Sequence, residues 1–235
     1  LATPQCPACM SGKQHQKRNS RARLPRLHST RIFEMIHSDI MEMPIAKDGS
    51  RYVITFTDDY SRGSWAYAMR WKHEALQKFR QFEAWVHRQF GAQIKRFLTD
   101  NVREYLPIGT HLETQGVEFD TSPPYCKGQN GLAERTNRTI RERINTLLSD
   151  ANLPPSWWTE LVDTVVYLKL RAPATILQKK TPHEIIYGKP PSLCLFRMSD
   201  KYDEICLIWG LQKSIHMLLC LSIILQLSDD TVPRK

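Results

Sequence analysis

The chain lacks a cysteine framework, and it also lacks an apolar run long enough to cross a bilayer. Of its six cysteines, only Cys6 and Cys9 have the spacing of a motif, so a disulfide-rich secreted fold is disfavoured and a reducing compartment is expected. The most apolar stretch, residues 205–227, is interrupted by polar residues such as Lys213 and His216, whereas a membrane helix needs about 20 apolar residues. We therefore expect no secretion and no membrane partner.

The first 31 residues contain no aspartate or glutamate but carry seven lysines and arginines. This arm supplies +7 of a formal net charge of +9. Both a solvated tail and a phosphate-binding arm have this composition, so both interpretations remain open. The net charge favours a polyanionic partner such as nucleic acid. The basic residues of the arm are Lys13, Lys17, Arg18, Arg21, Arg23, Arg26 and Arg31.

The spacing of apolar residues predicts one α/β domain in which a mixed five-stranded sheet is flanked by helices. Runs of β-branched and aromatic residues favour the strands, and apolar residues three or four positions apart favour the helices. The first strand is predicted to end near Asp39. The predicted order is strands at 33–41, 51–60 and 64–70, a helix over 76–90, strands at 94–99 and 117–120, a helix from about 130 to 151, and a helix over 157–168.

Three separated acids have contexts that suit a metal site. Asp39 and Asp100 come at the ends of strand-like runs, and Glu134 opens a basic helix. A single aspartate at a strand end is more often a turn or cap residue, but two short strands and one helix can bring all three acids together. Hard divalent cations take oxygen ligands, and enzymes that act on phosphodiesters often hold two cations with a few carboxylates. We therefore predict metal-dependent chemistry on a nucleic-acid backbone.

The helix that begins near Asn130 also carries a basic face. Arg138 and Arg141 follow Glu134 by four and seven positions, so the three side chains share one side of the helix. One interpretation is an ordinary surface ion pair. The other is that Glu134 binds metal while the arginines hold DNA phosphates beside it. Gly131, which lacks a side chain, would let the backbone approach a DNA strand closely.

Several short segments occur in order along the chain. Residues 37–40 read His-Ser-Asp-Ile, residues 57–62 read Thr-Asp-Asp-Tyr-Ser-Arg, and residues 99–101 read Thr-Asp-Asn. Residues 129–140 read Gln-Asn-Gly-Leu-Ala-Glu-Arg-Thr-Asn-Arg-Thr-Ile, and residues 181–190 read Thr-Pro-His-Glu-Ile-Ile-Tyr-Gly-Lys-Pro. Together these segments resemble the integrase core of copia-type (Ty1/copia) LTR retrotransposons and the segment that follows that core. The resemblance extends from about Cys6 to Ser192.

The resemblance implies an RNase H-like fold with a catalytic D,D,E triad formed by Asp39, Asp100 and Glu134. It implies that these acids bind Mg²⁺ or Mn²⁺ in a two-metal site. The implied activity is that of a polynucleotidyl transferase and endonuclease, which performs 3′-end processing and strand transfer of element DNA into a target. Asp58 and Asp59 are rivals for the first acid, and the family pattern favours Asp39.

The resemblance also implies partners and a place of action. We expect DNA, both element ends and target, as the partner, and a homo-oligomer as the working form; RNA is a second candidate partner. The nucleus is the expected site of action, and a cytoplasmic particle is the second candidate. The residues expected to contact nucleic acid are Lys127, Gln129, Asn130, Arg135, Arg138 and Arg141.

The chain departs from the family pattern at two motifs. The family has two histidines before its paired cysteines, and none precedes Cys6 and Cys9. We therefore expect these cysteines to bind Zn²⁺ only if the missing half of that module is present; recruitment of downstream histidines is the alternative. Val102 stands where the family has glycine after Asp-Asn. Because a β-branched residue disfavours positive φ, the loop beside Asp100 is expected to be displaced.

These patterns divide the chain into three regions. Residues 1–31 are predicted to be a basic arm with a remnant of the zinc module, and residues 32–192 to be the catalytic core with its following helices. Residues 193–235 have no family resemblance and read like translation out of frame, as in a truncated or degenerate element copy. Two rivals to the integrase remain: a catalytically inactive nucleic-acid-binding remnant, and an RNase H-like nuclease that cuts strands without joining them.

Overall fold

The structure is a computed structural model that describes residues 29–100, 103–122 and 130–191, apart from the side chains of Asp100 and Ser122. Among the helices of these ranges, none is both long and apolar enough to span a bilayer. The predicted tail and nearly all of the basic arm lie outside the described residues. The predictions made for Cys6, Cys9, Val102, Lys127 and Gln129 also lie outside them.

Five strands form one mixed sheet with the spatial order β3-β2-β1-β4-β5. The first three strands form an antiparallel meander, and the last two run parallel to β1. This confirms the predicted mixed sheet. The strands are β1 (Met35–Glu42), β2 (Tyr52–Asp58), β3 (Ser64–Met69), β4 (Arg96–Asp100) and β5 (Glu118–Ser122). The helices are α1 (Ala75–Phe90), α2 (Leu106–Thr114), α3 (Gly131–Asp150), α4 (Trp158–Arg171) and α5 (Pro182–Tyr187).

The sheet has an apolar core on each face, because successive residues of a strand point to opposite sides. On one face, Phe56 packs under α1, and its ring stacks on that of Phe82 with centroids 4.8 Å apart. On the other face, Val53 packs with Ile144 of α3 and Trp158 of α4. All five side chains are inaccessible to solvent, and each contributes about 1.5–3 kcal/mol by burial. Helices therefore cover both sides of the sheet.

The predicted helix over 76–90 is confirmed and ends where the sequence indicates. Its buried residues Phe79, Phe82 and Val86 follow the helical period, so one stripe faces the sheet. Gly91 caps the helix in the left-handed region, with φ of 58°. A residue without Cβ takes this conformation at little cost, which is why the helix stops there.

The structure corrects the sequence prediction by adding α2, which the pattern of residues 106–114 does not indicate. Pro107 and Gly109 both disfavour a helix interior. The proline, however, lies in the first turn of α2, where its missing N–H is not needed. Gly109 faces Phe119 of β5, and a Cβ at this position would lie 2.9 Å from Phe119 Cε1. Tertiary packing therefore outweighs the low helix propensity of this segment.

The structure also shows that Asp39 does not end the first strand. β1 continues past Asp39 to Glu42, because its antiparallel pairing with β2 runs on to the Glu42–Tyr52 pair. Its recorded parallel pairs with β4, in contrast, end at His37–Leu98. Asp39 therefore lies inside the strand, just beyond the last of these parallel pairs.

A cationic cluster lies between α4 and the β2–β3 hairpin. Lys169 Nζ donates hydrogen bonds to Ser64 Oγ at 2.8 Å and to the carbonyl oxygen of Arg62 at 3.3 Å. Burial, together with repulsion from Arg143 and Arg62, lowers the pKa of Lys169 to about 7. The folded state therefore favours the neutral amine more than the unfolded chain does.

Candidate metal and nucleic-acid site

Two buried asparagines fix the N-terminal half of α3 against β1. Asn130 Nδ2 donates a hydrogen bond to the carbonyl oxygen of Ser38 at 2.8 Å, and Asn137 Nδ2 donates one to Asp39 Oδ2 at 2.8 Å. The two acceptors belong to adjacent residues of β1, whereas the donors lie two helical turns apart. This pair of contacts sets both the position and the rotation of the helix above the strand.

The Asn137 amide also binds the neighbouring strand. Thr55, which pairs with Asp39 across β1 and β2, donates from Oγ1 to Asn137 Oδ1 at 2.7 Å. The other oxygen of Asp39, Oδ1, accepts from the backbone N–H of Ile40 at 2.9 Å. Each carboxylate oxygen of Asp39 thus accepts a hydrogen bond, and these bonds hold its orientation.

Glu134 lies between the two anchors. Asn130, Glu134 and Asn137 are separated by four and three positions, so they share one side of the helix. The glutamate is exposed while both asparagines are buried. α3 therefore presents the exposed carboxylate of Glu134 between two contacts with β1, that of Asn130 with Ser38 and that of Asn137 with Asp39. The prediction that Glu134 stands in the first turn of a helix is confirmed.

The register of the parallel strands indicates the level at which Asp100 stands relative to Asp39. The pairs of β1 and β4, such as His37 with Leu98, differ by 61 positions, and so do Asp39 and Asp100. These two residues lie two positions beyond the last pair, and the same register would put their backbones level on adjacent strands. Asp100 is the last residue of β4 and pairs with Ser122 of β5.

The predicted metal ligands are therefore only partly described. Asp39 and Glu134 have described side chains, and the side chain of Asp100 lies outside the described part of the structure. Among the side chains that are described, no group of three His, Cys, Asp or Glu residues is placed to hold a metal ion. The donor chemistry nevertheless suits a hard divalent cation, since both described acids offer carboxylate oxygens.

The carboxyl group of Asp58, one rival for the first acid, is held by hydrogen bonds at the start of the turn of the β2–β3 hairpin. It is fully buried, its Oδ1 accepts from the backbone N–H of Phe33 at 2.9 Å, and its Oδ2 accepts from Ser61 Oγ at 2.6 Å and Ser61 N at 2.8 Å. Burial raises the pKa of Asp58 more than these hydrogen bonds lower it. The carboxyl group faces the protein interior, which suits a structural role.

Asp59, the other rival, holds the hairpin to the segment that precedes β1. Its Oδ2 accepts from Ser29 N at 3.1 Å, and its Oδ1 accepts from Arg62 Nη1 at 2.9 Å. Burial raises the pKa of Asp59, but the His37 imidazole 3.6 Å away, the hydrogen bond from Ser29 and the charge of Arg62 outweigh it, so the pKa is lowered overall. Both rivals are thus buried among structural partners, whereas Asp39 is partly exposed, which favours Asp39 as the first acid.

The predicted nucleic-acid contacts on α3 have different surroundings. Arg135 and Arg138 are exposed, as a phosphate-binding role requires. Arg141 is exposed and donates from Nη2 to the carbonyl oxygen of Glu42 at 3.0 Å, so it lies against the end of β1. Asn130 is buried and holds the helix. The buried side chain of Asn130 therefore serves the fold, and a contact between nucleic acid and the backbone of Asn130 stays a prediction.

Sequence reasoning missed Asn137 as a member of the site. The signal for it is a polar residue within the apolar stripe of an amphipathic helix. Asn137 precedes the buried residues Ile140 and Ile144 by three and seven positions, and it is itself only 6% exposed. A buried amide needs hydrogen-bond partners, so its position on the stripe indicates a polar contact with the sheet.

Comparisons with known proteins agree on one relationship. Residues 29–127 match the family model described as integrase core domain. The chain is 32% identical over 188 residues to the retrovirus-related Pol polyprotein from transposon RE2 of Arabidopsis thaliana, covering 80% of this chain. It is 34% identical over 192 residues to that from transposon TNT 1-94 of Nicotiana tabacum, again covering 80% of this chain. The chain spans only 13% and 14% of the lengths of these relatives.

Solved structures share the fold. The cryoEM structure of the simian T-cell lymphotropic virus intasome in complex with PP2A regulatory subunit B56 gamma matches with a TM-score of 0.57 at 20% identity, covering 80% of this chain and 64% of that chain. The HTLV-2 integrase catalytic core domain in complex with magnesium (trimeric form) matches with a TM-score of 0.52 at 16% identity, covering 67% of this chain and 99% of that chain. The likeness confirms the predicted RNase H-like fold.

Proposed function

The chain belongs to the integrase core family of retrotransposon Pol polyproteins, and we propose that it is the catalytic core of an enzyme that integrates element DNA into target DNA. The single observation that carries this proposal is the double anchor of α3 on β1. Hydrogen bonds from Asn130 and Asn137 hold the helix so that Glu134 stands over the strand that carries Asp39. The register of β1 and β4 supports Asp100 as the third acid.

Asp39, Asp100 and Glu134 are the residues that would hold Mg²⁺ or Mn²⁺. A bound cation pair supplies an activated oxygen nucleophile and stabilises the departing oxygen of a phosphodiester. The protein's own part is to fix the ligands. Asn137 and the Ile40 N–H orient the carboxylate of Asp39, so it needs little rearrangement on metal binding.

The reaction has two steps on DNA. Water first cleaves a phosphodiester near the element end, which frees a 3′-hydroxyl group. That hydroxyl then attacks a target phosphodiester in line, so the new bond forms as the old one breaks. Exposed Arg135 and Arg138 bind phosphates beside the acids, and the basic arm adds further contacts. Because such contacts carry little sequence information, target choice is loose and binding depends on salt.

The wider setting is also part of the proposal. The enzyme acts in the nucleus as a homo-oligomer on element ends and target DNA, with a cytoplasmic particle as the second candidate location. The chain divides into a basic arm (1–31), a core (32–192) and an unrelated tail (193–235). Zn²⁺ binding by Cys6 and Cys9 requires two further ligands.

A strand-transfer assay with Mn²⁺ and a labelled element-end duplex tests the proposal. Joined products are expected, and they support the integrase. Nicks without joining would support a nuclease, and DNA retention without any product would support an inactive remnant. Glu134→Gln should abolish joining without changing the unfolding transition, because it keeps the size of the side chain while removing the charge. Unchanged turnover in Glu134→Gln would refute the metal assignment.

A further inference from the structure

A basic and aromatic surface lies at the same end of the sheet as the carboxyl ends of β1 and β4. We define this surface, the rim, by Arg51, Tyr52, Arg70, Trp71 and Lys72. Tyr52 pairs with the last residue of β1 on one side and with the last residue of β3 on the other, and the remaining rim residues adjoin these pairs along the chain. Because β4 runs parallel to β1, Asp100, the last residue of β4, lies toward the same end of the sheet.

Contacts connect the rim to both flanks of the proposed active site. Arg51 Nη2 lies 2.8 Å from Glu42 Oε1, and the carbonyl oxygen of Glu42 accepts a hydrogen bond from Arg141 of α3. On the other flank, Lys72 Nζ lies 2.9 Å from Glu104 Oε1, four residues after Asp100. The rim therefore extends from the arginines of α3 to the segment that follows β4.

The distances suit a polynucleotide strand that passes the acids. Asp39 lies three residues before the end of β1, which is about 10 Å at the rise of a strand. β3 is two strands away from β1, which is also about 10 Å. The rim thus begins within a few nucleotides of the reacting phosphodiester, since phosphates in a DNA strand are spaced by about 3.4 Å along the axis in a duplex.

The charges of the rim suit phosphates. Arg51 and Arg70 are exposed, and Lys72 is partly exposed. The Arg51–Glu42 pair is about half exposed on both sides, so it contributes little to stability, and its guanidinium can exchange one anion for another. Lys72 Nζ stands 5.5 Å from the centre of the Tyr52 ring, which leaves the ammonium at the surface of an aromatic side chain.

Trp71 gives the rim an open aromatic face. Its side chain is 63% exposed, although indole is mostly buried in folded proteins. Glu74 Oε1 accepts hydrogen bonds from the backbone N–H groups of Trp71 at 2.9 Å and Arg70 at 3.2 Å, so the backbone that carries the ring is fixed. The ring of His73 lies nearly parallel to the indole, at 11°. An exposed ring on a fixed backbone beside three cations is the combination that binds unpaired nucleic acid, in which bases stack on aromatic faces.

We propose that the rim binds an unpaired stretch of DNA beside the phosphodiester on which the acids act, with one base stacked on Trp71 and phosphates on Arg51, Arg70 and Lys72. This inference rests on the proposed function, because it takes the reacting strand as the ligand. It goes further than the proposed function because it assigns to the rim the place at which the two strands of the DNA duplex are separated. A duplex keeps its bases stacked on one another, so it could use the cations of the rim but not the indole face.

Fluorescence anisotropy of labelled DNA with the full chain tests the stacking contact, in EDTA so that no cleavage occurs. Trp71→Ala should weaken binding of a single strand about ten-fold, a typical loss for one stacked base, and change binding of a blunt duplex of equal length by less than about two-fold. Tyr60→Ala is the matched control, because Tyr60 is an exposed aromatic residue, 42% accessible, in the β2–β3 hairpin at the opposite end of the sheet. It should leave both affinities unchanged.

The salt dependence of the same binding tests the phosphate contacts. Arg51→Gln should reduce the slope of log K against log salt concentration for a single strand by about 0.7, the value for one lost phosphate contact. Arg80→Gln is the control, since Arg80 is an exposed arginine on α1. Its slope should equal that of the unmodified chain. Far-ultraviolet circular dichroism and the unfolding midpoint check that each variant is folded.

The outcomes separate this inference from the proposed function. If the unmodified chain joins DNA but Trp71→Ala and Tyr60→Ala bind single strands equally well, the rim assignment is overturned while the integrase stands. Equal weakening of single strand and duplex by Trp71→Ala also overturns it, because the ring would then not depend on unpaired bases. If the unmodified chain binds neither DNA, the proposed function is overturned together with the inference.

Discussion

Replacing Asn137 by alanine removes the two hydrogen bonds that its own side-chain amide makes to β1 and β2. The amide donates to Asp39 at 2.8 Å and accepts from Thr55 at 2.7 Å, and it is 6% exposed. A hydrogen bond to a charged group contributes about 1.5–3 kcal/mol, and a buried partner left without its bond costs a similar amount. Thr55 can still donate to the carbonyl oxygen of Asp39, 3.3 Å away, so most of the loss falls on the carboxylate. We expect a decrease of about 2 kcal/mol in the free energy of unfolding.

Asn145→Ala supplies the matched control for this prediction. Asn145 is exposed on the same helix, so the change in helix propensity is the same and cancels in the comparison. Urea unfolding measures both variants, and a difference in midpoint at equal slope reports stability alone. Asn137→Ala should also join DNA more slowly than Asn145→Ala, because its Asp39 is no longer held. Equal midpoints and equal joining rates in the two variants would refute the role given to the anchor.

Three further predictions concern other parts of the chain. Val102→Gly should raise strand-transfer activity, because glycine permits the positive φ that valine disfavours; no gain in the Mn²⁺ assay would count against the argument about that loop. Gly109→Ala should lower the thermal midpoint despite its better helix propensity, since the new methyl group would meet Phe119 at 2.9 Å; a raised midpoint would contradict this packing. Lys169→Met should be more stable than the parent below about pH 7, where the cost of charging the buried amine is fully present, and this advantage should shrink as pH rises from about 7 toward the unfolded value of 10.5. Urea midpoints across that pH range measure the difference, and an advantage that grows with pH would contradict the cause given for the lowered pKa.

The fold could be predicted from local patterns wherever one pattern decides an element. Runs rich in β-branched or aromatic residues predict β2 and β3, and the apolar stripe with Gly91 predicts both the existence and the end of α1. α2 could not be predicted, because the reason for its glycine is a contact with Phe119 of the next strand. The place of Asp39 inside β1 could not be predicted for a related reason. Pairing with β2 carries the strand on to Glu42, whereas an aspartate in the sequence indicates a strand end.

The candidate site, like the fold, could be predicted from the sequence only in part. The element order suffices to put Asp39 and Asp100 on strands and Glu134 on a helix, whereas the adjacency of the two strands is known only from the sheet itself. The choice between Asp39 and its rivals needs tertiary contacts, because only these show that Asp58 accepts bonds inside a hairpin. The role of Asn137 in the site depends on its hydrogen bond to Asp39, which lies 98 positions away in the sequence. The apolar stripe indicates that Asn137 needs a polar partner on the sheet, but only the register of the helix on the sheet decides that the partner is Asp39.

Binding of Mn²⁺, followed by the loss of the free-ion electron paramagnetic resonance signal, tests the gathering of the acids most directly. Glu142 lies on the same helix as Glu134, two turns further along, and is exposed, so Glu142→Gln removes an equal charge away from the site. We predict that Glu134→Gln loses the Mn²⁺ binding of the unmodified chain and that Glu142→Gln retains it. Equal Mn²⁺ binding by both variants would contradict the account.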